Sequence, residues 1–212
     1  MELALLRDNT QAYILMRAVT ILKSGGIVVG PSDTVYGVYA NAEDMGAVEK
    51  VFAMKKRAKE KPMGVFVRDI PTARKIAYIA DAKARFLERV WPGAVTVIFH
   101  HKEKLSPLVT AGKETLGLRI PHDSFLSALL LQCDFPIVQT SANISGSPSA
   151  KNIEEIQTYF SDIKNQPDLI IDAGEGTQNP SAVIDFTGLK PILMRMGLIT
   201  KTQLDELLNG IV

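Results

Sequence analysis

The segment at residues 27–37 reads IVVGPSDTVYG, in which a branched apolar run opens into a hydroxyl-rich loop. The apolar run predicts a short buried strand at 27–29. Loops at strand ends are where α/β sheets place their ligands, and Ser32 and Thr34 offer hydroxyls there. A plain Asx or serine turn is the simpler explanation of the same loop when the segment is taken alone.

Helices are predicted on both sides of this strand. Thr10 is a favourable N-cap, and Gly25-Gly26 ends the helix that Thr10 begins. Asp44 caps a second helix, whose last turn runs into Lys55. The apolar positions of the first helix recur at helical spacing: Ala12, Leu15, Met16, Val19 and Leu22.

The remaining chain intermixes strands and helices. Strands are predicted at 63–67, 94–99, 116–120, 137–140, 169–171, 182–186 and 192–194. Helices are predicted at 72–80, 81–91, 124–132, 152–160 and from 200 to about 209, and a loop at 105–115. This order predicts an α/β or α+β fold with a mixed sheet, in one domain over residues 1–212.

Composition limits the classes of function. The net charge of +1 gives no global attraction to nucleic acid, so any polyanion site must be a local patch. The N-terminus lacks the features of a signal peptide, and no apolar run approaches the ~18 residues of a membrane helix. Cys133 is the only cysteine and reads as a buried packing residue, so no internal disulfide forms. A cytoplasmic protein without a membrane partner is expected.

Residues 55–62 read KKRAKEKP and concentrate five basic residues beside one acid. Cations at a helix C-terminus meet a favourable dipole, which accounts for Lys55. Arg57, Lys59 and Lys61 continue past the predicted helix end and suit a triphosphate. A solvated helix end and a phosphate site both remain open. An RNA-binding module is a further alternative, although the patch lacks interleaved aromatic residues for stacking on bases.

Other polar residues in unusual positions are weaker signals. Ser141 and Asn143, in the loop SANISGSPS after a predicted strand, could donate to an anion, or the loop could be a plain turn. Arg119 stands alone in an apolar strand and needs an anionic partner, either a ligand carboxylate or a structural salt bridge. The same two interpretations apply to Arg195, at the end of the last predicted strand.

The sequence gives no support for catalysis by an activated side-chain nucleophile or a metal site. His100-His101 follow a strand, where neighbouring side chains point to opposite faces, so no metal site is predicted. The chain contains no convincing Ser-His-Asp set, Walker loop or G-x-G-x-x-G motif. An enzyme with this sequence would work by binding and charge stabilisation.

Taken in order, seven segments resemble the YrdC-like L-threonylcarbamoyladenylate synthases. They are GPSDTVYGVYANA, the K-x-R of Lys55 and Arg57 with Lys61-Pro62, WPGAVTVIF, LGLRIP, TSANISGSPS, PSAVIDFTG and ILMRMG. The resemblance covers about residues 18–199. It implies a YrdC-like α/β fold of the single-domain type, in which helices flank a twisted mixed sheet with a concave ligand-binding face.

The resemblance also implies an activity. Members form threonylcarbamoyl-AMP and pyrophosphate from L-threonine, bicarbonate and ATP, usually with Mg²⁺. The product is passed to the tRNA threonylcarbamoyl-transferase machinery for N6-threonylcarbamoyladenosine (t6A37) formation, and weak RNA binding is compatible with that role. A related carbamoyl-transfer protein is the other alternative, but those relatives carry additional domains and zinc-binding cysteines, which one cysteine cannot supply.

The family's functional residues fall on matching positions of this chain. Lys55, Arg57, Ser141 and Asn143 match the catalytic K-x-R and S-x-N residues. The implied ATP-binding residues are Lys55, Arg57, Lys61, Asn143, Ser149 and Arg195. The implied threonine-binding residues are Thr34, Arg119, Ser141 and Ser181. The departures from the family pattern are Phe66 for a frequent His, Ala182 for Thr, Ala58 for Pro, Met196 within Arg-Pro-Gly, and Asp33 for Glu.

Overall fold

Ten strands form one mixed sheet in the computed structural model, which describes residues 1–161, 163–197, 200, 202, 203 and 206. The strands run in the order β1-β8-β2-β3-β7-β4-β6-β5-β9-β10 across the sheet. The pairs β1–β8, β2–β8, β4–β6 and β5–β9 are parallel and the others are antiparallel. In chain order they are β1 Glu2–Leu5, β2 Val28–Gly30, β3 Gly37–Asn41, β4 Gly64–Phe66, β5 Val95–His100, β6 Thr115–Arg119, β7 Ile137–Ser141, β8 Leu169–Asp172, β9 Ala182–Asp185 and β10 Ile192–Arg195.

The helices begin where the sequence places good caps. The Asp44 carboxylate accepts a hydrogen bond from Ala47 N at 3.1 Å, and the Asn152 side chain accepts one from Glu155 N at 3.1 Å, which confirms both predicted N-caps. In chain order the helices are α1 Gln11–Lys23, α2 Met45–Lys55, α3 Ile70–Ile76, α4 Asp81–Val90, α5 Pro107–Thr110, α6 Ser124–Gln132 and α7 Ile153–Phe160. No helix in the described part of the chain has the length and apolarity to cross a membrane.

The prediction for the first helix was wrong in two details. Thr10 occupies the N-cap position, but its hydroxyl donates to the carbonyl of Leu5 at 2.8 Å and makes no cap bond to the helix. Met16 is 60% exposed, because α1 packs against both the sheet and α6 and its buried face is rotated away from the predicted stripe. The buried residues of α1 are Ile14, Leu15, Ala18, Ile21 and Leu22.

Three elements were missed by the sequence patterns. Strand β1 is a four-residue edge strand, and β3 is buried on both faces except at its last residue, so β3 lacks the alternation that marks a half-buried strand. The predicted loop at 105–115 contains α5, whose four residues are too few to show a helical period. The predicted last helix, from 200 to about 209, lies largely outside the described residues.

The two faces of the sheet are covered unequally. Helices α2, α3, α4 and α7 pack on one face and form the larger apolar core. On the other face, α1 and α6 pack against residues of β2, β3, β4, β7 and β8. Beyond these two helices, the same face of β4, β6, β5 and β9 carries small and polar residues and borders a cavity. The uneven coverage therefore leaves a concave surface on the sheet.

Candidate active site

A cavity of about 460 Å³ lies on the part of the sheet that α1 and α6 leave uncovered. Its floor is made by alternate residues of neighbouring strands, because alternate side chains of a strand share one face. Thr96 and Ile98 come from β5 and Thr115 and Gly117 from β6, while the residues between them are buried on the opposite face. The volume falls within the range of small-molecule sites.

Two glycines keep this floor open. A Cβ on Gly117 would lie 3.2 Å from Thr96 Cγ2, and a Cβ on Gly64 would lie 3.3 Å from Gln139 Oε1. Both distances are tighter than ordinary van der Waals contact, and any side chain at these positions would also project into the cavity. The glycines therefore allow a ligand to approach the backbone of β4 and β6.

The structure brings most of the predicted site residues to this cavity. Seven of the ten line it: Thr34, Arg57, Arg119, Ser141, Ser149, Ser181 and Arg195. Lys55 and Asn143 lie directly behind Ser141, to which both are hydrogen-bonded. Lys61 does not line the cavity; its side chain is exposed and its carbonyl accepts from Arg57 Nε at 3.1 Å. Four loops and three strands that are distant in sequence thus converge on one cavity.

Lys55 is buried, although it belongs to the basic cluster at 55–62. Only 1% of the residue is exposed. Its ammonium donates to the carbonyls of Ser141 and Asn143, the latter at 2.7 Å, and to Asn143 Oδ1 at 2.8 Å. Burial, with the nearby charge of Arg57, lowers the pKa of Lys55 to about 7, whereas three oxygen acceptors favour the charged form. In this structure Lys55 binds the loop that begins at Ser141, so its predicted contact with ATP stays a prediction.

The S-x-N residues are fixed by the same loop. Ser141 Oγ donates to Asn143 Oδ1 at 2.7 Å, and Asn143 Nδ2 donates to the carbonyl of Ser147 at 2.5 Å. The Asn143 side chain therefore bonds within the loop and to Lys55, and its contact with ATP stays a prediction. Ser141 Oγ faces the cavity with lone pairs still available to a ligand.

Arg119 forms a buried salt bridge with Asp33. The two side chains are 3% and 12% exposed, and Arg119 Nη2 lies 2.5 Å from Asp33 Oδ1. Arg119 also donates to Thr34 Oγ1 at 3.1 Å and to the carbonyl of Gly93 at 2.8 Å. Burial lowers the pKa of Arg119, and the Asp33 carboxylate opposes that shift. Of the two partners predicted for Arg119, the structure shows the salt bridge. Its hydrogen bonds to Asp33, Thr34 and Gly93 use three of the five guanidinium N–H groups, which leaves two for a ligand.

Asp33→Asn is expected to destabilise the protein by about 2 kcal/mol, because the buried guanidinium loses its compensating charge while an amide keeps part of the hydrogen bonding. Chemical unfolding monitored by circular dichroism measures the change. Asp8→Asn, at an exposed position in a turn, is the matched control and should change stability by less than about 0.5 kcal/mol. Equal stability of the two variants would show that the folded protein does not need the Asp33 charge to compensate the buried Arg119 guanidinium.

Arg57 and Arg195 have no carboxylate within 4.0 Å among the described residues. Arg57 Nη2 donates to the carbonyl of Pro62 at 2.7 Å, which holds the half-buried guanidinium at the cavity wall. Arg195 donates to the carbonyl of Ser181 at 3.1 Å and to Ser181 Oγ at 3.3 Å. Burial lowers the pKa of both arginines, so an anion that neutralised them would be favoured.

The electrostatic character of the cavity follows from these contacts. Among the described residues that line it, three are arginines and none is an aspartate or glutamate. Within the described part of the chain only Arg119 has a carboxylate partner, so Arg57 and Arg195 contribute charge that no described carboxylate neutralises. A partly enclosed site with fixed cations attracts and orients anions such as phosphates and carboxylates.

Sequence reasoning missed three polar residues of the floor, Thr96, Thr115 and Gln139. The alternation of polar or small residues with buried apolar ones in β5 and β6 is a period-two signal that could have placed Thr96 and Thr115 on one face. Gln139 lies in the five-residue strand IVQTS, and so short a sequence does not indicate which side chains of the neighbouring strands lie beside it.

Comparisons with known proteins agree with this architecture. The model of the Sua5, YciO and YrdC family, which carries the description "Telomere recombination", matches residues 20–197. The chain belongs to this family. That membership confirms the resemblance seen in the sequence, and the mixed sheet flanked by helices is the fold of its solved members.

Three relatives show how far the similarity extends. The threonylcarbamoyl-AMP synthase of Bacillus subtilis is 36% identical over 200 residues, which are 93% of this chain and 57% of the relative. A crystal structure of Pyrococcus abyssi Sua5 complexed with L-threonine superposes with a TM-score of 0.91 at 27% identity, over 99% of this chain and 61% of that one. Escherichia coli YciO superposes with a TM-score of 0.82 at 26% identity, over 94% and 96% of the two chains.

The chain thus spans about three fifths of the length of the Bacillus and Pyrococcus relatives. The part that it shares with them makes up 93–99% of this chain, and the family model matches residues 20–197. The cavity, its arginines and the loop at Ser141 all belong to this shared part.

Proposed function

We propose that the chain forms threonylcarbamoyl-AMP and pyrophosphate from L-threonine, bicarbonate and ATP. The observation that carries the proposal is one cavity that three guanidinium groups line, for which the described residues offer one carboxylate partner, Asp33. Such a site fits a polyphosphate and an amino-acid carboxylate together. The name of the Bacillus relative and the threonine bound to the Pyrococcus relative support the same activity.

The proposed reaction joins three reactants in two steps. The threonine amine attacks carbon dioxide derived from bicarbonate, and loss of a proton gives a carbamate. A carbamate oxygen then attacks the α-phosphorus of ATP, the bond from that phosphorus to the bridging oxygen breaks, and pyrophosphate leaves. Holding dilute reactants in line can contribute ~7–11 kcal/mol to such a reaction. Fixed donors that stabilise the phosphate charge contribute roughly 3–4 kcal/mol each.

The residues of the cavity divide between the two ligands in this proposal. Arg57 and Arg195 hold phosphates, with Lys61 and Ser149 at the edge of the same region. Arg119 binds the threonine carboxylate with its remaining N–H groups, and Thr34 and Ser181 complete that end of the cavity. Ser141 lies between the two ends. Lys55 and Asn143 act from behind it, by fixing the loop and adding positive charge beneath the reacting phosphate.

Mg²⁺ is proposed to enter with ATP and to be bound chiefly by phosphate oxygens, where it would neutralise charge on the leaving pyrophosphate. The donors in the cavity fit this arrangement, because Ser141 and Thr115 offer neutral oxygens and no aspartate or glutamate is among the described residues that line it. In the described part of the chain, no group of three or more His, Cys, Asp or Glu side chains could hold a metal.

The product is proposed to pass to the tRNA threonylcarbamoyl-transferase machinery, for t6A37 formation in tRNA. A role in the cytoplasm, where that tRNA modification takes place, belongs to the same proposal. Weak RNA binding by the exposed cations of residues 55–62 would assist this transfer, and it predicts an affinity that falls steeply with salt concentration.

The decisive measurement is release of pyrophosphate from ATP by the purified protein. Release is expected to require both L-threonine and bicarbonate, with threonylcarbamoyl-AMP detected by mass spectrometry in equal amount. The same rate of release without threonine or bicarbonate would contradict the proposal. Salt-sensitive RNA binding together with no release would favour an RNA-binding function for the basic surface.

A further inference from the structure

Gln139 projects from β7 over the floor of the cavity. It lies opposite Tyr39 of β3 on one side and Gly64 of β4 on the other. Because Gly64 has no side chain, the Gln139 carboxamide occupies the space above it: Oε1 lies 3.3 Å from the point that a Cβ of Gly64 would take. The carboxamide is thus part of the cavity surface and not of the apolar core.

The described residues make no hydrogen bond to the Gln139 carboxamide. This carboxamide is not fully buried, because it faces the cavity. Ser141, Arg119 and Ser181, which line the same cavity, each bond to a protein group. A carboxamide offers two N–H donors and an oxygen acceptor, so Gln139 retains its full capacity for a ligand.

The register of the sheet gives the distance from Gln139 to Arg119. Arg119 is opposite Phe66, and Phe66 is opposite Ile137, two residues before Gln139 on the same strand. Their backbones are therefore separated by about 7 Å along the strands and about 9–10 Å across them. Both polar ends lie over β4, since the Arg119 guanidinium is 5.6 Å from the centre of the Phe66 ring and Gln139 Oε1 lies beside Gly64. One ligand on β4 could therefore contact both side chains.

We infer that Gln139 is a specificity-determining residue, whose carboxamide binds the side-chain hydroxyl of the amino-acid substrate. The inference rests on the proposed function, in which Arg119 binds the carboxylate of that substrate. A hydroxyl both donates and accepts hydrogen bonds, and a carboxamide can donate to it through N–H or accept from it through its oxygen. An amino acid with a methyl group or hydrogen in place of the hydroxyl would leave the carboxamide without its partner, and such a site rejects analogues that lack the group.

The test compares L-threonine with L-2-aminobutyrate, which lacks only the hydroxyl, and with L-valine, which replaces it by a methyl group. Pyrophosphate release is measured for the wild-type protein and for Gln139→Met, which keeps the length of the side chain and removes its hydrogen bonds. We expect kcat/KM for threonine to fall about 10- to 100-fold, mainly through KM, while kcat/KM for the two analogues changes less than about threefold. The preference for threonine should shrink by the same 10- to 100-fold.

Gln132→Met is the matched control, since Gln132 is exposed on α6, outside the cavity. It should leave all three substrates unchanged, and thermal unfolding should show that both variants are folded. Equal losses for threonine and its analogues in Gln139→Met would overturn the inference.

Calorimetric titration with the same amino acids separates this inference from the proposed function. If the wild-type protein binds threonine but releases no pyrophosphate, the proposed function fails. The inference then still predicts that Gln139→Met weakens threonine binding about tenfold or more and leaves 2-aminobutyrate binding unchanged. Threonine binding that Gln139→Met leaves intact, or no binding of any of these amino acids, would overturn the inference itself.

Discussion

Arg57→Ala is expected to lower threonine-dependent pyrophosphate release by about 100- to 1,000-fold while the protein remains folded. The Arg57 guanidinium lines the cavity and has no carboxylate within 4.0 Å among the described residues, so its charge is available to phosphates. Its bonds to the carbonyls of Lys61 and Pro62 aim the side chain at the cavity, so its orientation is set before ligand binds. Preorganised charge of this kind stabilises the transition state most effectively.

Arg85→Ala provides the control, because Arg85 is an exposed arginine on α4, away from the cavity. Steady-state release of pyrophosphate at saturating threonine and bicarbonate, with ATP varied, separates an effect on kcat from one on KM. Thermal unfolding should show both variants folded within a few degrees of the wild type. Near-normal release by Arg57→Ala would remove Arg57 from the proposed mechanism.

Lys55→Met is expected to reduce both stability and activity. The substitution preserves the length of the buried side chain but leaves the carbonyls of Ser141 and Asn143, and Asn143 Oδ1, without their donor. Unpaired buried acceptors cost about 1–3 kcal/mol each, and partial relaxation of the loop should limit the total to about 2–4 kcal/mol. Ser141 would lose its fixed position at the cavity, so pyrophosphate release should fall at least 100-fold.

The pH dependence of stability gives an independent readout of Lys55. Its pKa in the folded protein, about 7, lies below the ordinary value of 10.5, so the unfolded chain binds more protons between these two values. The contribution of Lys55 to stability therefore rises as pH increases from 7 to 10.5 and is constant below 7. The Lys55→Met variant should lack this rise, so the stability difference between wild type and variant should grow as pH increases from 7 to 10.5.

Lys75→Met is the matched control, since Lys75 also lies in the last turn of a helix, α3, but is exposed. It should change the free energy of unfolding by less than about 0.5 kcal/mol and should leave the pH dependence of stability as in the wild type. If Lys55→Met behaved like Lys75→Met, the ammonium would not be holding the loop.

Much of the fold could be predicted because its signals are local. The caps at Asp44 and Asn152, and the apolar runs that became β2, β6 and β7, depend on residues within a few positions of each other. Elements without such a pattern were missed: β3 is buried on both faces over most of its length, and α5 has only four residues. The hydrophobic face of α1 was misplaced, because α6 covers part of that helix and sequence spacing does not reveal a second helix.

The candidate site shows the same division between features that local sequence predicts and features that it does not. Seven of the ten residues expected from the ordered motifs line one cavity, so the motif order was a good guide to which segments meet. Their individual contacts were not predictable. Arg119 and its partner Asp33 are 86 positions apart, and Lys55 is 88 positions from the Asn143 oxygens that bind it. Gln139 gave no signal, because its position beside Gly64 follows from the register of β4 and β7.

By itself, the sequence determined the secondary structure around good caps and apolar runs, the family and the set of segments that meet at the cavity. Only the tertiary structure decided that Lys55 is buried behind the cavity, that Arg119 is paired with Asp33, and that the Gln139 carboxamide has no partner in the described chain. The physical reason is that caps and periodicity act over one or two turns of chain. Burial, charge pairing and free hydrogen-bonding groups depend instead on strands and loops that only the sheet brings together.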